Sequence, residues 1–136
     1  MPLFIKLESL MQKEIIITNK SPAAIGPYSQ AIKINGFLFV SGQLPLDPQT
    51  MIFVSGGIKE QTLQVLKNID AIIKEAGMQP DNAVKCSCFL KNMSDFIAFN
   101  EVYTEYFGHI LPARECVEVS RLPKDALVEI SVICAA

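Results

Sequence analysis

The sequence predicts an α+β domain, a mixed and mostly antiparallel sheet with two helices covering one face. Three observations predict it. Asn35-Gly36 joins two short apolar runs, residues 30–34 and 37–41, and Asn-Gly in that setting signals a hairpin because the tight turn needs positive φ at both positions. Over residues 58–76, Leu63, Leu66, Ile69, Ile72, Ile73 and Ala76 recur at helical spacing, polar residues fill the other face and Gly77 supplies a C-terminal cap. Residues 84–119 then read strand, helix, strand, which demands a right-handed crossover and a locally parallel pair.

Taken in order, residues 1–13 lack usable periodicity and read as an extension, expected to be disordered, ahead of one domain at 14–136. A strand at 14–18 leads into Asn19 to Ser29, too rich in Pro, Gly and Ser for regular structure yet apolar, and ending in Tyr28, which suits a pocket wall. The hairpin ends at Ser41-Gly42-Gln43, where the missing side chain at Gly42 marks either a bulge or a close approach to the backbone. Residues 47–57 are turn-rich, with a short strand expected at 51–54. In the strand at 84–90, Val84, Cys86, Cys88 and Leu90 are expected on the buried face. Ser94 is the expected N-cap of a second helix reaching Phe107, with Asn100 in its middle, facing solvent or aimed at a site. Strands at 114–119 and 126–134 follow.

With 136 residues, half of them hydrophobic, the chain can build a proper core. A formal charge of -2 and a pI near 5.4 provide no broad cationic surface, so a nucleic-acid partner is not expected. Cys86, Cys88, Cys116 and Cys134 form no C-x-x-C pair, and His109 is the single histidine, so no metal site, cofactor or histidine triad is expected. Apolar stretches are broken well short of membrane-spanning length, and Lys6 and Glu8 interrupt any signal-peptide core, so a soluble cytoplasmic protein is expected.

The chemistry gathers near the C-terminus, where both arginines, Arg114 and Arg121, are found. Alternation puts Arg114 and Cys116 on one face of their strand, and Leu127, Glu129, Ser131 and Ile133 on one face of the next. A carboxylate between Val128 and Ile130 is costly to bury without a cation or donors, and Arg114 is the expected partner or neighbour, in a structural ion pair or a functional one. Two helices cover one face of such a sheet, so the uncovered face is expected to meet other copies of the chain.

Four motifs, Ala24-Ile25-Gly26-Pro27-Tyr28-Ser29-Gln30, Val40-Ser41-Gly42-Gln43, Pro112-Ala113-Arg114-Glu115-Cys116-Val117-Glu118-Val119 and Arg121-Leu122-Pro123-Lys124-Asp125, strongly resemble those of the RidA (YjgF, L-PSP) family of reactive-intermediate deaminases. The resemblance implies a chorismate-mutase-like subunit forming a homotrimer, with sheets facing inward and sites at the subunit interfaces. It maps the carboxylate-binding arginine onto Arg114 and the water-handling acid onto Glu129, with Tyr28, Ser41, Gly42, Asn100, Tyr103 and Cys116 completing the pocket. Glu115 departs from the small residue usual in relatives, but alternation points it away from Arg114.

The implied reaction is hydrolysis of 2-imino and enamino acids, such as 2-aminoacrylate, 2-iminopropanoate and 2-iminobutanoate, to 2-keto acids and ammonia. It needs a carboxylate clamp and a delivered water, and it needs no metal or organic cofactor. Arginine suits the clamp because its planar fork binds a carboxylate bidentately. Two alternatives stay open: a regulator that binds a small carboxylate without turnover, and the endoribonuclease or translation-inhibitor role attached to some relatives.

Overall fold

The computed structural model describes residues 12–136. The expected extension at 1–13 therefore lies almost wholly outside the described residues. Six strands, β1 (Glu14–Ile16), β2 (Ala31–Ile34), β3 (Phe37–Gln43), β4 (Ala83–Leu90), β5 (Ala113–Glu118) and β6 (Val128–Ala135), form one sheet in the order β1-β2-β3-β6-β4-β5. β4 and β5 run parallel and every other neighbouring pair is antiparallel. Two helices, α1 (Ile58–Glu75) and α2 (Phe96–Phe107), lie on one face, α2 forming the crossover between β4 and β5. The expected α+β class holds.

The hairpin turn has Asn35 at φ 52° and Gly36 at φ 80°, as its Asn-Gly sequence demands. α1 ends in a Schellman motif: Gly77 takes φ 77°, its N–H donates to the Lys74 carbonyl, and Met78 N–H donates to the Ile73 carbonyl. The core lies between the helices and the inner sheet face, where Leu38, Val40, Cys86, Cys88, Ile130 and Val132 meet Val65, Ile69, Ile72, Phe99 and Phe107. The other sheet face carries Ile32, Phe39 and Ile133 in register across β2, β3 and β6, and Phe89 opposite Val117 on β4 and β5, with the Lys85–Glu115 ion pair on the same face and Phe39 45% exposed. No helix among the described residues is long and apolar enough to cross a membrane.

Several local expectations need correction. Val84 is exposed and Ala83 buried instead, because a register shift between Ala83 and Lys85 interrupts the alternation. Ser94 does not cap α2; the chain enters that helix through a 3-10 turn at Met93–Asp95, fastened by Met93 N–H donating to the Glu118 carboxylate at 2.8 Å. The expected strand at 51–54 reduces to one bridge between Leu46 and Phe53. Leu63 is exposed, whereas Gln61, Thr62 and Asn68, on the side of α1 that reads as polar, are buried.

Candidate functional site

The predicted site residues fall into two groups. The first is built where β5 passes α2. Arg114 pairs with Cys86 across the parallel β4–β5 ladder and so shares the helix-facing side with it. The Arg114 guanidinium lies over the Tyr103 ring at 4.6 Å and within 5.6 Å of the Phe96 ring. Its Nη1 donates to Asn100 Oδ1 at 2.7 Å. The mid-helix Asn100 is thus aimed at the arginine rather than at solvent. No ion pair among the described residues involves Arg114. Cation–π contact and one amide oxygen fix the fork while leaving donors for a planar anion.

Cys116, two residues along the same face, packs against the core margin, and burial pushes its thiol pKa up while Arg114 opposes the shift. Burial, with the neighbouring Cys86 thiol, pushes the Tyr103 hydroxyl up as well; that hydroxyl faces Cys86 without meeting hydrogen-bonding geometry. Neither group is set up as an ionised nucleophile. Glu115 points to the opposite face, paired with Lys85, as alternation requires.

The second group surrounds Glu129. The register shift between Val40 and Gln43 bulges β3 at Ser41-Gly42, so both expected roles of Gly42 coincide. A Cβ on Gly42 would stand 2.9 Å from Glu129 Cδ. Ser41 Oγ donates to the Ser29 carbonyl at 2.6 Å, tethering the loop that carries Tyr28. Gln30 fastens the base of that loop: its amide nitrogen donates to the carbonyls of Thr18, Ser21 and Pro22, and its amide oxygen accepts from Thr18 N–H. Tyr28, Ser41, Gly42 and Glu129 line one cleft of about 550 Å³. Burial alone raises the Glu129 carboxyl pKa above its ordinary value.

The two groups do not meet within one chain. Glu129 pairs with Phe89 on β4 and Arg114 with Cys86, three residues away, so the two side chains leave opposite faces of the sheet. Their positions on the sheet are about 14 Å apart by ordinary strand and residue spacing. The expected Arg114–Glu129 partnership is thus absent inside the subunit, and no arginine lowers the Glu129 pKa there.

Sequence reasoning missed Phe96, the second aromatic beside Arg114. It also missed Asn68 and Gln61, whose buried amides hold the cleft's outer segments. Met51 and Lys124, which line the cleft at φ 58° and 55°, were missed as well. A larger cleft of about 930 Å³ between α1 and α2 contains none of these residues; within it Tyr106 and Lys74 both pair with Asp70.

Fold and geometry together define a class of small α+β subunits that carry an arginine and a glutamate on opposite faces of one mixed sheet. The chain belongs to the family described as Endoribonuclease L-PSP, which it matches over residues 18–136. It is 56% identical over 123 residues to a RutC family protein of Pyrococcus abyssi, covering 90% of this chain and 97% of that protein. Among solved structures, the Rid-family protein YyfA of Yersinia pestis, of unknown function, superposes with TM-score 0.89 at 51% identity, covering 92% of this chain and all of that one. E. coli TdcF with bound serine superposes with TM-score 0.86 at 37% identity, covering 90% and 98%.

Proposed function

We propose that this protein is a hydrolase of reactive 2-imino and 2-enamino acids, releasing 2-keto acid and ammonia. The observation that carries the proposal is the pair of uncompensated groups: an arginine fixed by Asn100 and Tyr103 without a carboxylate, and a burial-raised glutamate without a cation. A substrate carboxylate suits the first, and a water needing a base suits the second. Water adds to the C=N carbon while Glu129 takes one of its protons and returns it to the nitrogen, giving a carbinolamine. The carboxylate then takes the hydroxyl proton and delivers it to the nitrogen as the C–N bond breaks, so the keto group forms and ammonia leaves. An imine is already electrophilic, so holding these partners in place supplies much of the rate. The serine bound by TdcF is an amino acid whose carboxylate, on this proposal, has the chemistry Arg114 would hold.

In the same proposal the working unit is a closed homotrimer. The apolar face carrying Phe39, Phe89 and Ile133 packs inward, and each site takes Arg114 from one copy and Glu129 from the next. The opposite orientation of the two side chains supports this arrangement.

The test is ammonia release with 2-aminoacrylate generated in situ by a dehydratase, on wild type and Arg114→Ala, alongside light scattering. Acceleration by wild type and none by Arg114→Ala is the expected result. Release no faster than the uncatalysed background, or a monomer at micromolar concentration, refutes the corresponding half of the proposal. The family description also names endoribonuclease activity. RNA cleavage surviving in Arg114→Ala after rigorous removal of contaminating nuclease would favour that activity over the deaminase.

A further inference from the structure

We propose that the cleft beside Glu129 is a side-chain subsite selecting 2-imino acids with a long or branched apolar side chain over the three-carbon imine; this rests on the deaminase activity proposed above. At one end of the cleft lie Ser41, Gly42 and Glu129, and the remainder is lined mostly by apolar side chains, Leu44, Leu46, Met51 and Pro123 among them, with the Tyr28 ring and with Lys124 the one cation among the described residues that line it. Its volume is about 550 Å³. A three-carbon imino acid needs on the order of 100 Å³, with one water's share of liquid volume about 30 Å³ as the yardstick. A substrate of that size, held at the Glu129 end, reaches little of the apolar wall that this subunit contributes. Each methylene moved onto that wall is worth about a fourfold gain in binding.

The wall is fixed before any ligand arrives. Asn68, fully buried on α1, donates from Nδ2 to the carbonyls of Leu44 at 3.1 Å and Leu46 at 2.9 Å, and Gln64 holds its Oδ1. Beyond Leu46 the chain folds back on itself: Asp47 Oδ1 accepts from the N–H groups of Gln49 and Thr50, Met51 N–H donates to the Asp47 carbonyl, and Val54 N–H donates to that of Pro45. Met51 is held at φ 58° and Lys124, across the cleft, at φ 55°, a backbone region unfavourable to both residue types. Strain of this kind persists where the surroundings over-determine the chain, and it clusters at ligand sites. Here it aims a flexible thioether into the same cleft as Glu129.

The test uses the intact, assembled protein. Imines are generated in situ from L-leucine and L-alanine by an L-amino-acid oxidase with catalase, and their decay is followed by semicarbazide trapping. The kcat/KM for the leucine-derived imine is expected to exceed that for the alanine-derived one by about tenfold or more. Met51→Gly, which suits the local backbone, and Leu44→Ala should each lower that ratio by at least about threefold. A wild-type ratio at or below one, or a ratio unmoved by both variants, overturns the subsite. Calorimetric titration with 4-methyl-2-oxopentanoate and pyruvate reads the same preference without turnover. Equal or weaker binding of the larger keto acid overturns the subsite, whereas clear preference for it with neither imine consumed refutes the deaminase and supports the subsite.

Discussion

Gly42→Ala isolates the position of the Glu129 carboxylate from everything else in the molecule. Gly42 does not require positive φ, so alanine fits the backbone. The added methyl would stand 2.9 Å from Glu129 Cδ, 3.1 Å from Oε1 and 3.2 Å from Cγ. Carbon contacts settle at about 3.5–4.0 Å, so the carboxylate must retreat by roughly 0.6–1 Å. It is the far end of a flexible side chain, and the cost in stability stays within about 1 kcal/mol. A displacement of that size between a base and its water costs up to about 100-fold in rate. The kcat/KM for 2-aminoacrylate should therefore fall by about 10- to 100-fold, with the thermal midpoint shifted by a few degrees at most. Binding of 2-keto acid should be nearly unchanged, because Arg114 is untouched. Activity within threefold of wild type, with the alanine confirmed in place, would refute the assignment of water and proton handling to Glu129.

Arg114→Lys replaces the planar fork with a point charge and should weaken 2-keto-acid binding by about 10- to 100-fold in calorimetry, with turnover falling alongside. Glu129→Gln keeps the shape but loses the base; hydrolysis should fall by about 10²- to 10⁴-fold while keto-acid binding survives. The same variant tests the raised Glu129 pKa. A carboxyl whose folded pKa lies above its ordinary value of 4.5 contributes stability at low pH that is lost as pH rises through the folded value. Glu129→Gln should therefore melt higher than wild type at pH 7, the gap closing below about pH 4.5, and a constant gap in thermal scans across that range would contradict it. Cys116→Ser should retain activity within about tenfold, since burial keeps the thiol protonated and no base adjoins it; loss of activity with the fold intact by circular dichroism would indicate covalent chemistry.

The legible parts of the fold are those written in short spacings. Asn35-Gly36 specified its own turn, Gly77 its own helix cap, and alternation along β6 singled out Glu129 among buried neighbours. The face on which Glu129 sits relative to Arg114 could not be read the same way. It depends on both strands' registers against β4, where Cys86 and Phe89 are an odd number of residues apart, and nothing in β5 or β6 alone encodes that number. Asn68 and Gln61 read as solvent-facing because their partners, the Leu44 and Leu46 carbonyls and Leu127 N–H, come from distant irregular segments. Val84 was misplaced by a bulge that its own hydrophobic pattern conceals. The eight pocket residues expected from the family motifs all lie in one or the other of the two groups, but their division emerges only from the sheet.

Arg114 and Glu129 leave opposite faces of the sheet, and under the proposed trimer their substitutions should complement each other. In the proposed ring, where every site would borrow its arginine from one copy and its glutamate from the next, Arg114→Ala and Glu129→Gln chains should each be inactive alone. Co-refolded, any mixed ring contains one junction where an intact arginine meets an intact glutamate. Activity should therefore reappear on mixing two dead proteins, rise with the fraction of mixed rings, and vanish again if the chains are assembled separately and subunit exchange is slow. A site complete within one chain could not be rescued in this way.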